Sequence, residues 1–208
     1  MSRKVLVTGA SGLLGRELLR RFAQEKWKCL GLAFSRAGGE LVRVDLRDRR
    51  EVEKVLDDFR PTVVVHAAAE RRPDVVEQQP EAASRLNVSA TETLAELCSK
   101  YGIFLIYMSS DYVFDGRSPP YHPDSPTNPP NKYGQTKRDG EVAVLKHAGT
   151  AVLRVPVLYG QVEQLGESSV TNVFSAVLNS DKEVKVKLPL YSIWCNIGRV
   201  WEGLGLPA

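Results

Sequence analysis

A glycine-rich turn stands between the first apolar segment of the chain and the first segment with helical periodicity. Lys4 to Thr8 is a short, β-branched apolar run, which predicts a buried strand. Gly9, Gly12 and Gly15 follow at once, and leucines then recur at helical intervals. Such a turn lets the backbone approach a phosphate closely, and the N–H groups that open the following helix favour its negative charge. The turn therefore predicts a strand–turn–helix unit that binds a dinucleotide.

The glycine turn also has a purely structural interpretation, because many strand–helix connections use glycine without binding a ligand. No Gly-Lys-Ser or Gly-Lys-Thr follows Gly15, which argues against a P-loop. The spacing is GxxGxxG, whereas many dehydrogenases carry GxGxxG. The position of the turn at the start of a strand–helix series favours dinucleotide binding.

Strand and helix patterns alternate through most of the chain. Apolar, β-branched runs predict further strands at Cys29 to Phe34, Leu41 to Asp45, Thr62 to Ala67, Phe104 to Met108 and Ala151 to Val155. Apolar residues three and four apart predict helices at Leu13 to Phe22, Val52 to Phe59, Pro80 to about Lys100 and Tyr133 to Lys146. Residues 118–131 hold six of the twelve prolines and predict a surface loop near the site. The alternation predicts an α/β fold, a Rossmann-type doubly wound parallel sheet with helices on both faces.

Composition argues against several classes of function. A net charge of +3 over 208 residues is too small for a nucleic-acid-binding surface. Cys29, Cys98 and Cys195 lie far apart in the sequence, which argues against a disulfide framework and fits a cytoplasmic protein. The histidines show no ligand spacing, so we expect no metal site. No run approaches the roughly 20 apolar residues that span a membrane, and glycines and charges interrupt the first apolar segment, which is poor for a signal peptide.

The end of the second predicted strand indicates the cofactor. An acidic residue there would bind the ribose 2′-hydroxyl of NAD, but the sequence reads Phe34-Ser35-Arg36. Arg36 is placed to pair with a 2′-phosphate, which favours NADP(H); the alternative is an ordinary exposed loop arginine. Asp45-Leu46 ends the third strand, where adenine could be held, and Ala67 ends the fourth, where small residues let a cofactor lie close to the backbone.

Tyr133 and Lys137 form a YxxxK pattern on a predicted helix, where residues four apart share a face. A lysine ammonium beside the phenol would lower the tyrosine pKa and allow proton transfer to a carbonyl during hydride transfer. Ser110, at the end of the fifth strand, could donate a hydrogen bond to the same carbonyl oxygen. These three are the candidate catalytic residues. The structural alternatives are a serine that caps the backbone and a tyrosine that packs beside the cofactor.

Together, the segment from Gly9 to Gly15, the Ser110 region and the Tyr133–Lys137 pair resemble the extended short-chain dehydrogenase/reductases. Ser109 to Gly116 and Arg154 to Gly160 resemble the dTDP-4-dehydrorhamnose reductases within that superfamily. A sharper resemblance lies in Ala68 to Glu77, Gln79-Pro80 and Leu86-Asn87-Val88. It is to a non-catalytic branch of the reductases, the regulatory β subunits of methionine adenosyltransferase, and it extends from about Lys4 to about Asn179.

The resemblance implies a regulatory subunit that binds NADP(H), joins the catalytic α subunits of methionine adenosyltransferase in a hetero-oligomer and modulates S-adenosylmethionine synthesis. It places the cofactor-binding residues at Gly9, Ser11, Gly12, Leu13, Leu14, Gly15, Phe34, Ser35, Arg36, Asp45, Leu46, Ala67, Arg71, Tyr133, Lys137 and Leu158. An active NADPH-dependent reductase of a nucleotide-sugar ketone, using Ser110, Tyr133 and Lys137, stays open as the alternative. A third possibility is a chain that folds poorly and does little.

Beyond about residue 180 the resemblance stops. We therefore expect an NADP-binding Rossmann domain over residues 1–180 and a divergent, poorly ordered tail over residues 181–208. Relatives build a substrate-side lobe from the corresponding stretch, so that lobe is expected to be largely missing, as in a truncated isoform or a gene model with an aberrant last exon.

Overall fold

The structure is a computed structural model that describes residues 3–179 and 195–196. Its strands are β1 (Lys4–Thr8), β2 (Lys28–Ala33), β3 (Val42–Arg43), β4 (Val63–His66), β5 (Phe104–Ser110), β6 (Thr150–Val155), β7 (Leu158–Tyr159) and β8 (Cys195–Asn196). Its α-helices are α1 (Leu13–Gln24), α2 (Arg49–Phe59), α3 (Pro73–Gln78), α4 (Pro80–Ser84), α5 (Ala90–Lys100), α6 (Lys132–Leu145) and α7 (Ser169–Leu178).

The first six strands form one parallel sheet in the order β3-β2-β1-β4-β5-β6. The chain starts in the middle, runs outward to β3, returns past β1 and continues to β6. Since all strands are parallel, their carboxyl ends meet at one edge, and the crevice beside β1 and β4 is where the strand order reverses. The predicted doubly wound sheet is confirmed. β7 and β8 form a separate parallel pair.

Alternate residues of the central strands enter two different cores, one on each face of the sheet. Leu6, Val64 and Leu105 face a core that includes apolar side chains of α2 and α5. Val5 and Val65 face the other core, with Leu18 and Phe22 of α1. Because strand side chains alternate between faces, a strand that is apolar at every position requires cover on both sides. The predicted helices on both faces are therefore confirmed.

Two predicted elements differ from the structure. The third strand was expected from Leu41 to Asp45 but has only Val42–Arg43, both exposed, because its one partner, β2, ends at Ala33, opposite Arg43. The helix predicted from Pro80 to Lys100 contains a wider π-type turn at Arg85–Ser89 between α4 and α5. The sequence analysis also missed α3, although Pro73 at its first position and Asp74 in its first turn are helix-start signals.

The remaining strand and helix predictions agree with the structure to within a few residues. β1 has the predicted bounds, and residues 118–131 contain no helix or strand. Of the expected tail, 181–208, only Cys195–Asn196 belongs to the described residues, and they pair with β7.

A directed chain of buried hydrogen bonds joins β1, β4 and α5 beneath the crevice. The Ala68 amide donates to Thr8 Oγ1 (3.2 Å), which lies 2.7 Å from His66 Nδ1. His66 Nε2 lies 2.9 Å from Thr91 Oγ1, and the Thr91 hydroxyl donates to the Asn87 carbonyl at 2.9 Å. Burial lowers the pKa of His66 to about 3, so the ring is neutral. Because the Thr91 hydroxyl donates to Asn87, its oxygen accepts from His66 Nε2, and Nε2 therefore carries the ring proton. Each polar side chain in this series of hydrogen bonds thereby has a partner.

Gly140 of α6 provides a test of this packing. A Cβ there would lie 2.3 Å from the hydroxyl of Tyr107, a fully buried side chain that has no room to withdraw. We expect Gly140→Ala to destabilise the protein by about 1–3 kcal/mol, although alanine is the better helix former. Gly38→Ala, which meets nothing within 4 Å, is the matched control. Urea unfolding midpoints measure both, and equal stability of the two variants would contradict the prediction.

Candidate nucleotide-binding site

All the residues predicted to bind the cofactor, together with Ser110, line a single crevice. It has a volume of about 610 Å³ and lies at the carboxyl edge of the sheet. Besides those residues its lining includes Arg47, Ala68, Glu70, Met108, Glu167 and Ser168. The structure thus brings the glycine turn, the end of β2 and the start of α6 together, and the predicted binding roles stay a prediction.

The glycine turn is shaped by backbone contacts that leave no space for side chains. Gly9 has φ +67°, and a Cβ on it would lie 2.8 Å from the Ala68 backbone. A Cβ on Gly15 would lie 2.3 Å from the Gly9 carbonyl oxygen. Gly12 is the N-cap of α1 and has no side chain to occupy the first N–H groups of the helix. Leu13, Leu14 and Gly15 line the crevice, so the backbone N–H groups that open α1 can donate hydrogen bonds to a phosphate there.

An aromatic side chain and two arginines mark one end of the crevice. Phe34 is 47% exposed, and the guanidinium carbons of Arg43 and Arg47 lie 5.5 and 5.2 Å from its ring centroid. Arg47 also donates two hydrogen bonds to Asp45, at 2.8 and 2.7 Å, which lower the Asp45 pKa. An exposed aromatic ring beside a carboxylate suits stacking and hydrogen bonding to a base.

Glu167 is a residue at this end that the sequence analysis missed. It lies in a short 3₁₀ turn, Leu165–Glu167, and its side chain is 5% exposed. Arg16 donates to both of its oxygens, at 2.9 and 2.7 Å, and Arg36 donates to Oε1. Hydrogen bonds from these two arginines hold the Glu167 pKa well below its usual range. No sequence signal connects it with Arg36, because 131 residues separate them.

Arg36 therefore lies where it was predicted, at the end of β2, but already has partners. Its Nη1 donates to Glu167, and its Nη2 donates to the Ser11 carbonyl at 2.8 Å. Arg16 Nη1 donates to the same carbonyl at 2.8 Å. Arg36 is exposed, as the alternative of an ordinary exposed loop arginine expects, but its guanidinium also bridges the glycine turn and Glu167.

Ser110, Tyr133 and Lys137 line the crevice together, but the expected lowering of the Tyr133 pKa is wrong for this arrangement. Burial raises the pKa of Tyr133 to about 12. The Lys137 ammonium lies 4.1 Å from the ring centroid of Tyr107, and burial lowers its pKa to about 7. Desolvation disfavours the charged form of both groups and is the largest cause of each shift.

Two contacts position the loop that follows β4. Asn87, in the π-type turn and 1% exposed, accepts from the Glu70 amide at 2.8 Å and donates to the Glu70 carbonyl at 2.9 Å. It also donates to Thr136 Oγ1 at 3.1 Å, which links the loop to α6. Arg71 donates to the Gly166 carbonyl at 2.7 Å. The wider turn thus places Asn87 where it fixes one wall of the crevice.

A buried ion pair fixes the proline-rich loop beside α6. Arg154 donates to both Glu141 oxygens, at 2.9 and 2.7 Å, and to the Pro123 carbonyl at 2.9 Å. At the end of the same loop, Asn131 accepts from the Gly134 amide at 2.8 Å and caps α6. The loop therefore sets the start of the helix that carries Tyr133 and Lys137.

Among the described residues, we find no helix with the length and apolarity required to cross a membrane. Within the same part of the chain, His, Cys, Asp and Glu side chains form no group of three that could hold a metal ion.

Proteins with this sheet order, a glycine turn after β1 and a Tyr-x-x-x-Lys helix form the short-chain dehydrogenase/reductase class of Rossmann folds, and the fold places this chain in it. Within that class, the chain belongs to the family described as the RmlD substrate binding domain, whose sequence profile matches residues 3–188.

The resemblance to one branch of the family is also confirmed. Methionine adenosyltransferase 2 subunit beta of Xenopus laevis is 53% identical over 186 residues, which is 89% of this chain, and the Rattus norvegicus protein of that name shows the same values. A probable dTDP-4,6-dihydroxy-2-methyloxan-3-one 4-ketoreductase of Streptomyces antibioticus is 41% identical over 161 residues, 75% of this chain and 52% of its own length. The chain spans only 56% of the Xenopus protein.

Solved structures agree with the family. A dTDP-4-dehydrorhamnose reductase of Clostridium acetobutylicum superposes with a TM-score of 0.81 at 25% identity, covering 97% of this chain and 68% of that one. A reductase of the same name from Bacillus anthracis, in complex with NADP, gives 0.74 at 26% identity, covering 88% and 62%. The family is one of dinucleotide-binding Rossmann folds.

The buried Lys137 makes stability depend on pH. The unfolded chain keeps the Lys137 proton up to about pH 10.4, whereas the folded chain releases it near pH 7. The unfolded state therefore binds more protons above pH 7, and stability rises with pH. We expect the free energy of unfolding to rise between pH 7 and 9, and Lys137→Met to remove much of that rise.

Urea unfolding at pH 7, 8 and 9 and constant ionic strength measures this dependence. Lys146→Met, at an exposed lysine that ends α6, is the control and should keep the wild-type slope. Parallel pH profiles for wild type and Lys137→Met would show that Lys137 does not carry the effect.

Proposed function

We propose that this chain is a non-catalytic regulatory subunit of methionine adenosyltransferase. It binds NADP(H) in the crevice, joins the catalytic α subunit in a hetero-oligomer and modulates S-adenosylmethionine synthesis. The observation that carries the proposal is the 53% identity with methionine adenosyltransferase 2 subunit beta over 89% of the chain.

The local sequence supports this branch over the reductases. Identity to the Streptomyces ketoreductase is 41%, against 53% for the Xenopus subunit. Part of the Ala68–Glu77 segment that carries the sharper resemblance is held by defined contacts: Arg72 pairs with Glu70, and Asn87 forms hydrogen bonds to the Glu70 backbone. Because Glu70 and Arg71 line the crevice, nucleotide binding can change the position of this segment and so the surface that it presents to a partner.

The chemistry of the crevice supports NADP(H) as the ligand. The N-terminus of α1 offers free N–H groups to a diphosphate. Arg36 supplies a positive charge at the adenosine end, and β2 ends without an acidic residue. At the other end, Tyr133 and Lys137 line the crevice, and in the proposed complex they hold the nicotinamide ribose. A relative by fold, from Bacillus anthracis, was solved with NADP.

Isothermal titration with NADP tests the cofactor. Wild type should bind, and Arg36→Ala should weaken binding by about tenfold or more, because a charge-assisted bond to phosphate is lost. Arg20→Ala is the control, since Arg20 lies on the exposed side of α1 and pairs with Glu17. No binding of NADP by the folded wild-type chain would contradict the proposal, as would equal binding by the two arginine variants.

Sedimentation with purified methionine adenosyltransferase α subunit tests the partner. We expect co-sedimentation that NADP strengthens, and a change in the rate of S-adenosylmethionine synthesis when this chain is added. Absence of a complex at micromolar concentrations, with and without NADP, would reject the partner.

A reductase function is the alternative, and the convergence of Ser110, Tyr133 and Lys137 on one crevice favours it. It predicts NADPH oxidation in the presence of dTDP-4-dehydro-6-deoxy-L-mannose, and abolition of that turnover by Tyr133→Phe. The regulatory proposal predicts no turnover by either protein, with NADP binding retained by wild type.

A further inference from the structure

Glu167 brings a carboxylate to the end of the crevice where the adenosine ribose is expected. The end of β2 itself has no acidic residue, yet Glu167 lines the crevice together with Phe34, Ser35 and Arg36. The acid that the ribose site of NAD-binding Rossmann proteins uses is thus present here, supplied by a segment 131 residues beyond Arg36.

The carboxylate is held firmly in that place. Arg16 donates to both of its oxygens, at 2.9 and 2.7 Å, and the Glu163 amide donates to Oε2 at 2.9 Å. Arg36 completes the set through Nη1. With four hydrogen bonds and only 5% exposure, the side chain has a defined position, and it stays charged beside its two arginines.

Arg36 has to serve two anions once a 2′-phosphate enters. Of its five N–H groups, one on Nη1 donates to Glu167 and one on Nη2 donates to the Ser11 carbonyl. A phosphate that binds Arg36 must displace the Glu167 carboxylate or lie beside it. Two negative groups that share one guanidinium repel each other strongly where water is partly excluded. A 2′-hydroxyl has no such conflict, because it is uncharged and leaves the four hydrogen bonds of the carboxylate in place.

We propose that Glu167 is a specificity-determining residue that competes with the 2′-phosphate of NADP(H) for Arg36 and so narrows the preference for NADP(H) over NAD(H). This inference rests on the proposed function, since it requires the crevice to bind a dinucleotide. Arg36 alone favours the phosphate, Glu167 favours the hydroxyl, and the balance of the two sets the cofactor ratio.

Glu163 provides the matched control. Its Oε2 is 3.2 Å from Arg16 Nη1, but its side chain is 64% exposed and lies outside the crevice lining. Glu163→Gln and Glu167→Gln therefore remove the same charge from the same segment, one in solvent and the other at the ribose site. The amide in Glu167→Gln keeps the shape of the side chain and one acceptor for Arg16.

Isothermal titration of the full chain with NADP and NAD, at one ionic strength, tests the inference. For Glu167→Gln the ratio of the two dissociation constants should move toward NADP by about tenfold, whereas Glu163→Gln should keep the wild-type ratio. Titration with 2′,5′-ADP and 5′-AMP locates the effect, because these probes occupy only the adenosine end. The gain should appear with 2′,5′-ADP and be absent with 5′-AMP.

An unchanged ratio in Glu167→Gln, or a shift toward NAD, would overturn the inference while leaving the proposed function in place, provided that both nucleotides bind. An equal shift in Glu163→Gln would also overturn it, since the effect would then be one of overall charge. Failure of every protein to bind any nucleotide, with cooperative thermal unfolding showing that the chains are folded, would overturn both the inference and the proposed function.

Discussion

The close approach of three backbone segments at the glycine turn is the constraint on which the rest of the site depends. Gly9 packs against the backbone of Ala68, just after β4, and Gly15 of α1 packs against Gly9. Both contacts are so close that a Cβ on either glycine would clash with the neighbouring backbone. This contact brings the first turn of the helix to the edge of the sheet, so its N–H groups open into the crevice. The buried hydrogen bonds from Ala68 through Thr8 and His66 secure the same junction from below.

The two ends of the crevice differ in whether their ionisable side chains are charged. At the end lined by Phe34 and Arg36, arginines and carboxylates form ion pairs, Arg36 with Glu167 and Arg47 with Asp45, so these groups keep their charge. At the other end, burial dominates. Burial shifts the pKa values of Lys137 and Tyr133 so that the neutral form of each is favoured. A dinucleotide spanning both ends would exchange ion pairs at one and hydrogen bonds at the other.

Local patterns predicted most of the fold, and long-range contacts account for what they missed. The apolar run of β1 and the periodicity of α1 depend on neighbouring residues, and both elements lie where they were predicted. The length of β3 is set by where its one partner, β2, ends, which no local pattern reveals. Glu167 is the clearest case, because only tertiary folding brings it beside Arg36. A cofactor prediction made from the residues that end β2 therefore includes Arg36 but not Glu167.

The retained Ser110, Tyr133 and Lys137 are weaker support for catalysis than their sequence pattern suggests. A general acid is most effective when its pKa lies near the working pH, whereas burial places that of Tyr133 near 12. The lysine that would lower it lies over the Tyr107 ring and is itself partly deprotonated at neutral pH. A neutral phenol can donate a hydrogen bond to a ribose hydroxyl, and a lysine whose pKa lies near 7 can donate or accept one. Both groups can therefore form hydrogen bonds to a ribose in the proposed nucleotide site.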